Sequence, residues 1–199
     1  MIHTLTVLFI TVIISYLTGS IPTGYIIVKL KTGKDIRTFG SGSTGATNVK
    51  RVLGKKWFFI VMILDAVKGA VPVILANLFA GAGIFPVTAA VMVIIGHSMP
   101  VFLGFRGGKS VASGVGTILA LNWQAGLIVA LIWGIVTYFT KYVSAGSVIA
   151  LALSPFVMHF AGHAPFCYVM YCALGAVYII FLHRENILRL IKGNENKIR

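Results

Sequence analysis

Five runs of roughly 20 mostly apolar residues, at 5–28, 57–80, 84–103, 142–161 and 165–182, constrain this chain more than any other feature. No water reaches backbone amides in a bilayer core, so a run that crosses it must close its hydrogen bonds internally as helix. With 58% hydrophobic and 11% charged residues, the chain lies far from the roughly 25% charged composition of soluble domains. The sequence therefore predicts an all-α, polytopic integral membrane bundle forming a single domain over 1–199, with no internal repeat and no excisable soluble part. The first run has no Lys or Arg before it and no small-residue cleavage site after it, and reads as a retained span.

The segment 111–139 is 29 residues long and is interrupted by Asn122, Trp123 and Gln124. Charge decides how it is read, because Lys and Arg of short loops stay on the cytoplasmic side. Eight cations lie in 29–56, two in 106–109, one at Lys141 and five after Leu182. A single crossing by 111–139 strands Lys141 and the basic tail outside, whereas two crossings turning at 122–124 bring all sixteen inside. The expectation is seven transmembrane helices, amino terminus outside and carboxyl terminus cytoplasmic. The crossing 111–121 is then only about 16 Å of helix, and Gly114 and Gly116 permit the close packing that a short span needs.

The net charge of +13 does not indicate nucleic acid, because the cations fall between apolar runs rather than along one polar face. Membrane lipid headgroups and small phosphorylated substrates are the better partners. Cys167 and Cys172 share one apolar segment, a poor disulfide spacing and too few ligands for a metal. Asp35 lies in a basic loop, Asp65 stands one turn from Lys68 within a span, Glu185 adjoins the last span and Glu195 falls near a frayed end. No acidic cluster is present to hold magnesium, so neither metal nor cofactor is expected. Asp65 and Lys68 most simply neutralise each other, and His3, His159 and His163 read as interfacial residues.

Three polar stretches share the cytoplasmic side under this topology. FGSGSTGATNVKR, at 39–51, has three glycines whose freedom lets amides converge on an anion, hydroxyls at Ser41, Ser43, Thr44 and Thr47, and Arg51 one turn after Asn48 if a helix begins there. A flexible connection edged by cations has the same composition. GHSMPVFLGFRGGKSVAS, at 96–113, ends like a nucleotide-binding loop, but Leu103 stands at the first glycine position and a membrane span precedes it, so that reading is rejected. What remains is a glycine turn aiming Arg106 and Lys109 at an anion, or two further membrane anchors. HREN puts His183 and Asn186 on one face if the last span continues as helix.

Together these stretches resemble the three signature motifs of the bacterial acyl-phosphate:glycerol-3-phosphate acyltransferase family, in order and along the whole chain. Ser43, where asparagine is usual, and Ser110, where glycine is usual, depart from the pattern. The resemblance implies an enzyme of the bacterial plasma (inner) membrane that moves a fatty acyl group from acyl phosphate to the 1-hydroxyl of glycerol 3-phosphate. The products are lysophosphatidic acid and phosphate, with no metal. By motif position, Ser41, Asn48, Arg51 and Lys109 bind phosphate, His183 and Asn186 hold glycerol 3-phosphate, and His97, Arg106, Gly107 and Gly108 shape the acyl-phosphate turn. Arg51, Lys109 and His183 are the expected catalytic groups, with Ser147 a further hydroxyl. The rival reading is an organic-phosphate transporter or exchanger, which predicts basic residues at mid-membrane and a two-halved repeat.

Overall fold

The structure, a computed structural model, describes residues 2–198, and every regular element among them is helical. Ten α-helices follow in order: α1 (Ile2–Ser20), α2 (Thr23–Thr32), α3 (Ala46–Leu53), α4 (Lys55–Ala80), α5 (Ile84–Ser98), α6 (Val111–Leu121), α7 (Trp123–Thr140), α8 (Val143–Phe160), α9 (Phe166–Leu182) and α10 (Arg184–Ile191). Five segments are long and apolar enough to cross a membrane: Ile2–Thr32, Lys55–Ala80, Ile84–Leu103, Trp123–Thr140 and Val143–Phe160. The α9–α10 pair, bent by 63°, counts as a sixth only when read as one span, and α6 is a shorter apolar helix of 11 residues. Large apolar side chains such as Phe79, Phe139 and Val177 are 85%, 76% and 69% exposed, the surface of a chain whose outer solvent is lipid.

One expected run divides, and another keeps its expected end but bends beyond it. The first run is two helices, because Pro22 cannot continue α1 and instead opens α2, which runs on to Thr32. The last run stops at Leu182 and α10 sets off at an angle, so the helix does not continue straight through HREN. The break in 111–139 is one residue wide: Asn122 accepts the Ala125 N–H at 2.9 Å as the cap of α7, and its amide donates to the Gly162 carbonyl at 3.0 Å.

The described residues form two compact units, Met1–Thr117 and Ile118–Arg199, whose boundary falls inside α6. In the first, α1 packs on α5, and α4 packs on α5, α3 and α1. Glycines set the α1–α5 distance: a Cβ at Gly19 would overlap the Val93 carbonyl and one at Gly96 the Tyr16 carbonyl. Val28, Ile36, Val49 and Val61, all at 0% exposure, form a small core that seats the loop 33–45 on α2, α3 and α4. In the second unit α7 packs on α8 and α8 on α9.

Candidate active site

The loop between α2 and α3 is built from two side chains. Asp35 accepts the Arg37 backbone N–H at 2.9 Å and its guanidinium at 2.7 Å, while Arg37 Nη1 donates to the Leu103 carbonyl at 3.2 Å. The hydrogen-bonded Arg37 guanidinium holds the Asp35 carboxyl below its ordinary pKa. Asn48, 2% exposed, donates its amide toward the carbonyls of Ile36, Phe39 and Ser43 at 3.3, 3.0 and 2.8 Å and accepts the Ser41 N–H at 3.2 Å. Those four contacts spend the Asn48 side chain on holding the loop shut.

This changes the expected geometry. The helix begins at Ala46, not Asn48, so Asn48 belongs to its first turn. The amides of Ser41, Gly42 and Gly45 are given to Asn48 Oδ1, the Phe39 carbonyl and Ser43 Oγ, so they do not form the anion nest that the glycine spacing suggested. The glycine at 40 has a different purpose. Its backbone is left-handed, at φ +55°, and a Cβ there would strike Asn48 Oδ1 and come within 3.1 Å of Arg51 Cδ and Nη1. Gly40 is thus what lets Arg51 lie against the loop, where both line an open cleft of about 400 Å³ with Thr32, Lys34, Phe39 and Val52. Ser41 is exposed beside it.

The second turn hangs from the end of α5. Gly107 N–H donates to the Ser98 carbonyl and Gly108 N–H to the His97 carbonyl, both at 3.1 Å. A Cβ at Gly107 would overlap the His97 carbonyl, and one at Gly108 would overlap His97 Nε2. The glycine pair is therefore required by packing against His97, which is itself buried at 7% exposure. Arg106 is exposed and Lys109 half-buried. Ser110 follows in the left-handed region at φ +58° and donates its hydroxyl to the Ile94 carbonyl at 2.9 Å.

In the second unit, His183 stands at the α9–α10 bend, 4% exposed, with Nδ1 2.8 Å from the Ile179 carbonyl. A carbonyl only accepts, so Nδ1 is the donor in that contact. Asn186, one turn on, donates to Glu195 Oε1 at 2.6 Å. Ser147 is buried, donating to the Val143 carbonyl at 2.8 Å and accepting from Trp133 Nε1 at 3.3 Å.

Glu195 is the residue that sequence reasoning misread. Rather than fraying, its carboxylate receives Asn186, Arg189 Nε at 2.7 Å and Ser144 Oγ at 2.9 Å, and the side chain is 6% exposed. Burial pushes its pKa up, and the hydrogen bonds from Asn186, Arg189 and Ser144 outweigh that, leaving the carboxyl below its ordinary value. Ile198 N–H adds a bond to the Lys141 carbonyl at 2.7 Å. Only the spacing Arg189 to Glu195 hinted at this, and an apolar-run reading gives such a tail no partner. Among the described residues no three His, Cys, Asp or Glu side chains gather to hold a metal ion.

The fold defines an integral membrane protein of helices with donor-rich turns at several helix ends, one of them packed against the buried His97. The family model for glycerol-3-phosphate acyltransferase matches residues 9–193. A glycerol-3-phosphate acyltransferase of Gloeobacter violaceus is 45% identical over 188 residues, covering 92% of this chain and 91% of that one. One of Prochlorococcus marinus is 44% identical over 188 residues, covering 94% and 95%. Among solved structures, PlsY (YgiH), an integral membrane glycerol 3-phosphate acyltransferase, superposes in its glycerol 3-phosphate form with a TM-score of 0.91 at 37% identity, 96% of each chain being covered. Its lysophosphatidic acid form gives a TM-score of 0.88 at 35% identity, covering 96% of this chain and 95% of that one. This chain belongs to the glycerol-3-phosphate acyltransferase family.

Proposed function

We propose that this protein is a membrane acyltransferase that moves a fatty acyl group from acyl phosphate to the 1-hydroxyl of glycerol 3-phosphate, the first step of phospholipid synthesis. The observation that carries the reading is the near-complete match to a fold solved in both a glycerol 3-phosphate form and a lysophosphatidic acid form, the acceptor and the product of that reaction.

The chemistry asks little of the protein beyond placement. Acyl phosphate is a mixed anhydride with phosphate as a good leaving group. The glycerol oxygen bonds to the acyl carbon, the acyl carbon to phosphate oxygen bond breaks, and the hydroxyl proton finishes on the released phosphate. Arg51, with Ser41 beside it, and Lys109, with Arg106 beside it, offset the phosphate charge as the leaving group gathers it. His183 orients the attacking hydroxyl, and Asn186 and Ser147 serve acceptor binding. Asn48, His97, Gly107 and Gly108 act by shaping the two turns. The fatty chain enters from lipid between helices.

The five long segments, the bent α9–α10 pair and α6 together support seven crossings. The positive-inside bias favours an amino terminus outside and basic turns at the cytoplasmic face of a bacterial plasma membrane. The test is direct: purified protein given palmitoyl phosphate and glycerol 3-phosphate releases phosphate and forms lysophosphatidic acid. No product with fresh donor and active lipid would sink the assignment, and equal turnover with acyl-CoA as sole donor would overturn the donor class.

A further inference from the structure

Asp65 and Lys68 lie one turn apart on α4, 2% and 8% exposed, in a helix otherwise suited to lipid. Charges buried there are costly unless they are paired, and Lys68 Nζ is 2.9 Å from Asp65 Oδ1. Mutual neutralisation explains that contact but not where the two groups reach beyond it. Lys68 Nζ donates at 2.7 Å to the carbonyl of Ile21, at the break between α1 and α2. Asp65 Oδ1 has no aligned hydrogen bond and sits 3.8 Å from His97 Nδ1. Ser113 Oγ, fully buried, lies 3.1 Å from the same ring nitrogen. The opposite edge of the ring, Nε2, is the atom against which Gly108 packs without room for a Cβ. The imidazole is wedged between a buried ion pair and the Gly107–Gly108–Lys109 turn.

We infer that Asp65, Lys68 and Ser113 are positioning residues: they fix the His97 ring, and through it they set the turn that presents Lys109 to phosphate. The inference rests on reading that turn as a phosphate site. Its physical basis is packing. Gly108 touches the ring with no intervening side chain, so a ring that pivots carries the turn with it. The ring can pivot only if Ser113 releases Nδ1 or the Asp65–Lys68 pair, anchored on Ile21, gives way. A displacement of about 1 Å at a charged binding group costs up to roughly a hundredfold in rate.

The test uses two kinds of variant in the full-length protein. Ser113→Ala removes one hydroxyl and no charge. The neutral pair Asp65→Asn with Lys68→Met avoids the lone buried charge that either single change leaves, and neutral replacements of buried pairs generally keep the fold. The expected result is a Tm close to that of the unmodified protein, a KM for palmitoyl phosphate raised about tenfold, inorganic phosphate inhibiting correspondingly less, and an unchanged KM for glycerol 3-phosphate. A merely structural role would move both KM values together or neither, and either outcome overturns the inference. Lys109→Ala separates the two possible failures. If it lowers kcat/KM for palmitoyl phosphate while the positioning variants do not, only the inference falls; if it leaves kcat/KM unchanged, the reading of the turn itself falls.

Discussion

Ser110 donates its hydroxyl to the Ile94 carbonyl at 2.9 Å from a left-handed backbone at φ +58°. A side chain in that region costs about 1–2 kcal/mol, which is why glycine is the usual occupant. The hydroxyl returns about 1 kcal/mol as a buried hydrogen bond, so serine here is a compensated exception. Ser110→Ala keeps the strain and loses the bond, and should lower stability by about 1 kcal/mol. Ser110→Gly loses the bond and relieves the strain, and should come out near neutral. Thermal unfolding of both variants in one detergent checks the order, and an alanine variant at least as stable as the glycine one would refute it.

Asn48 and Arg51 lie three positions apart on α3 but should respond oppositely. Asn48→Ala strands loop carbonyls of Ile36, Phe39 and Ser43, at a cost of about 1–3 kcal/mol, and Asn48→Asp is worse because it turns a carboxylate toward them. Arg51→Ala removes an exposed cation, leaves Tm unchanged and lowers kcat/KM by about a hundredfold. Paired Tm and initial-rate measurements separate the two residues.

Glu195 makes the second unit sensitive to acid. Its folded pKa is depressed below the ordinary 4.5, so its contribution to stability is full above that value and is lost as pH falls through the folded value. The Tm of the unmodified protein should drop between pH 5 and lower pH by more than that of Glu195→Gln, which has no proton to take up. Parallel Tm curves would show that the carboxylate contributes nothing through its charge.

Gly96→Ala pushes a methyl into the Tyr16 carbonyl and to 2.9 Å from the Ser20 amide, forcing α1 from α5. A loss of about 1–3 kcal/mol is expected. Gly134→Ala, where a Cβ meets nothing within 4 Å, is the control and should be neutral or slightly stabilising. Equal Tm shifts in the two would remove the packing argument.

The helices were legible because lipid and polar backbone impose one solution on a long apolar run, and the break at Asn122 because a cap residue interrupts such a run visibly. The bend after Leu182 was not, since His183 is compatible with helix and only the packing of α10 on α8 and α9 turns the chain there. For the site, sequence marked Arg51, His97, the Gly107–Gly108 pair, Lys109, His183 and Asn186 by residue type and motif order. It did not show their geometry. Asn48 donates inward, the loop amides bond within the loop, and the glycines at 107 and 108 serve close contact with His97.

What the sequence by itself determined is the class of solvent, the helical architecture, the basic turns and their family pattern, because each follows from composition or from residues near in the chain. Only the tertiary structure decided that Lys68 reaches Ile21, that Asp65 faces His97 and that Glu195 gathers Ser144, Asn186 and Arg189. Several of these contacts join residues 32 to 51 positions apart, and the shorter ones depend on a tail folding back. A buried charge takes whichever partner packing brings within reach, and nothing local in the sequence names that partner.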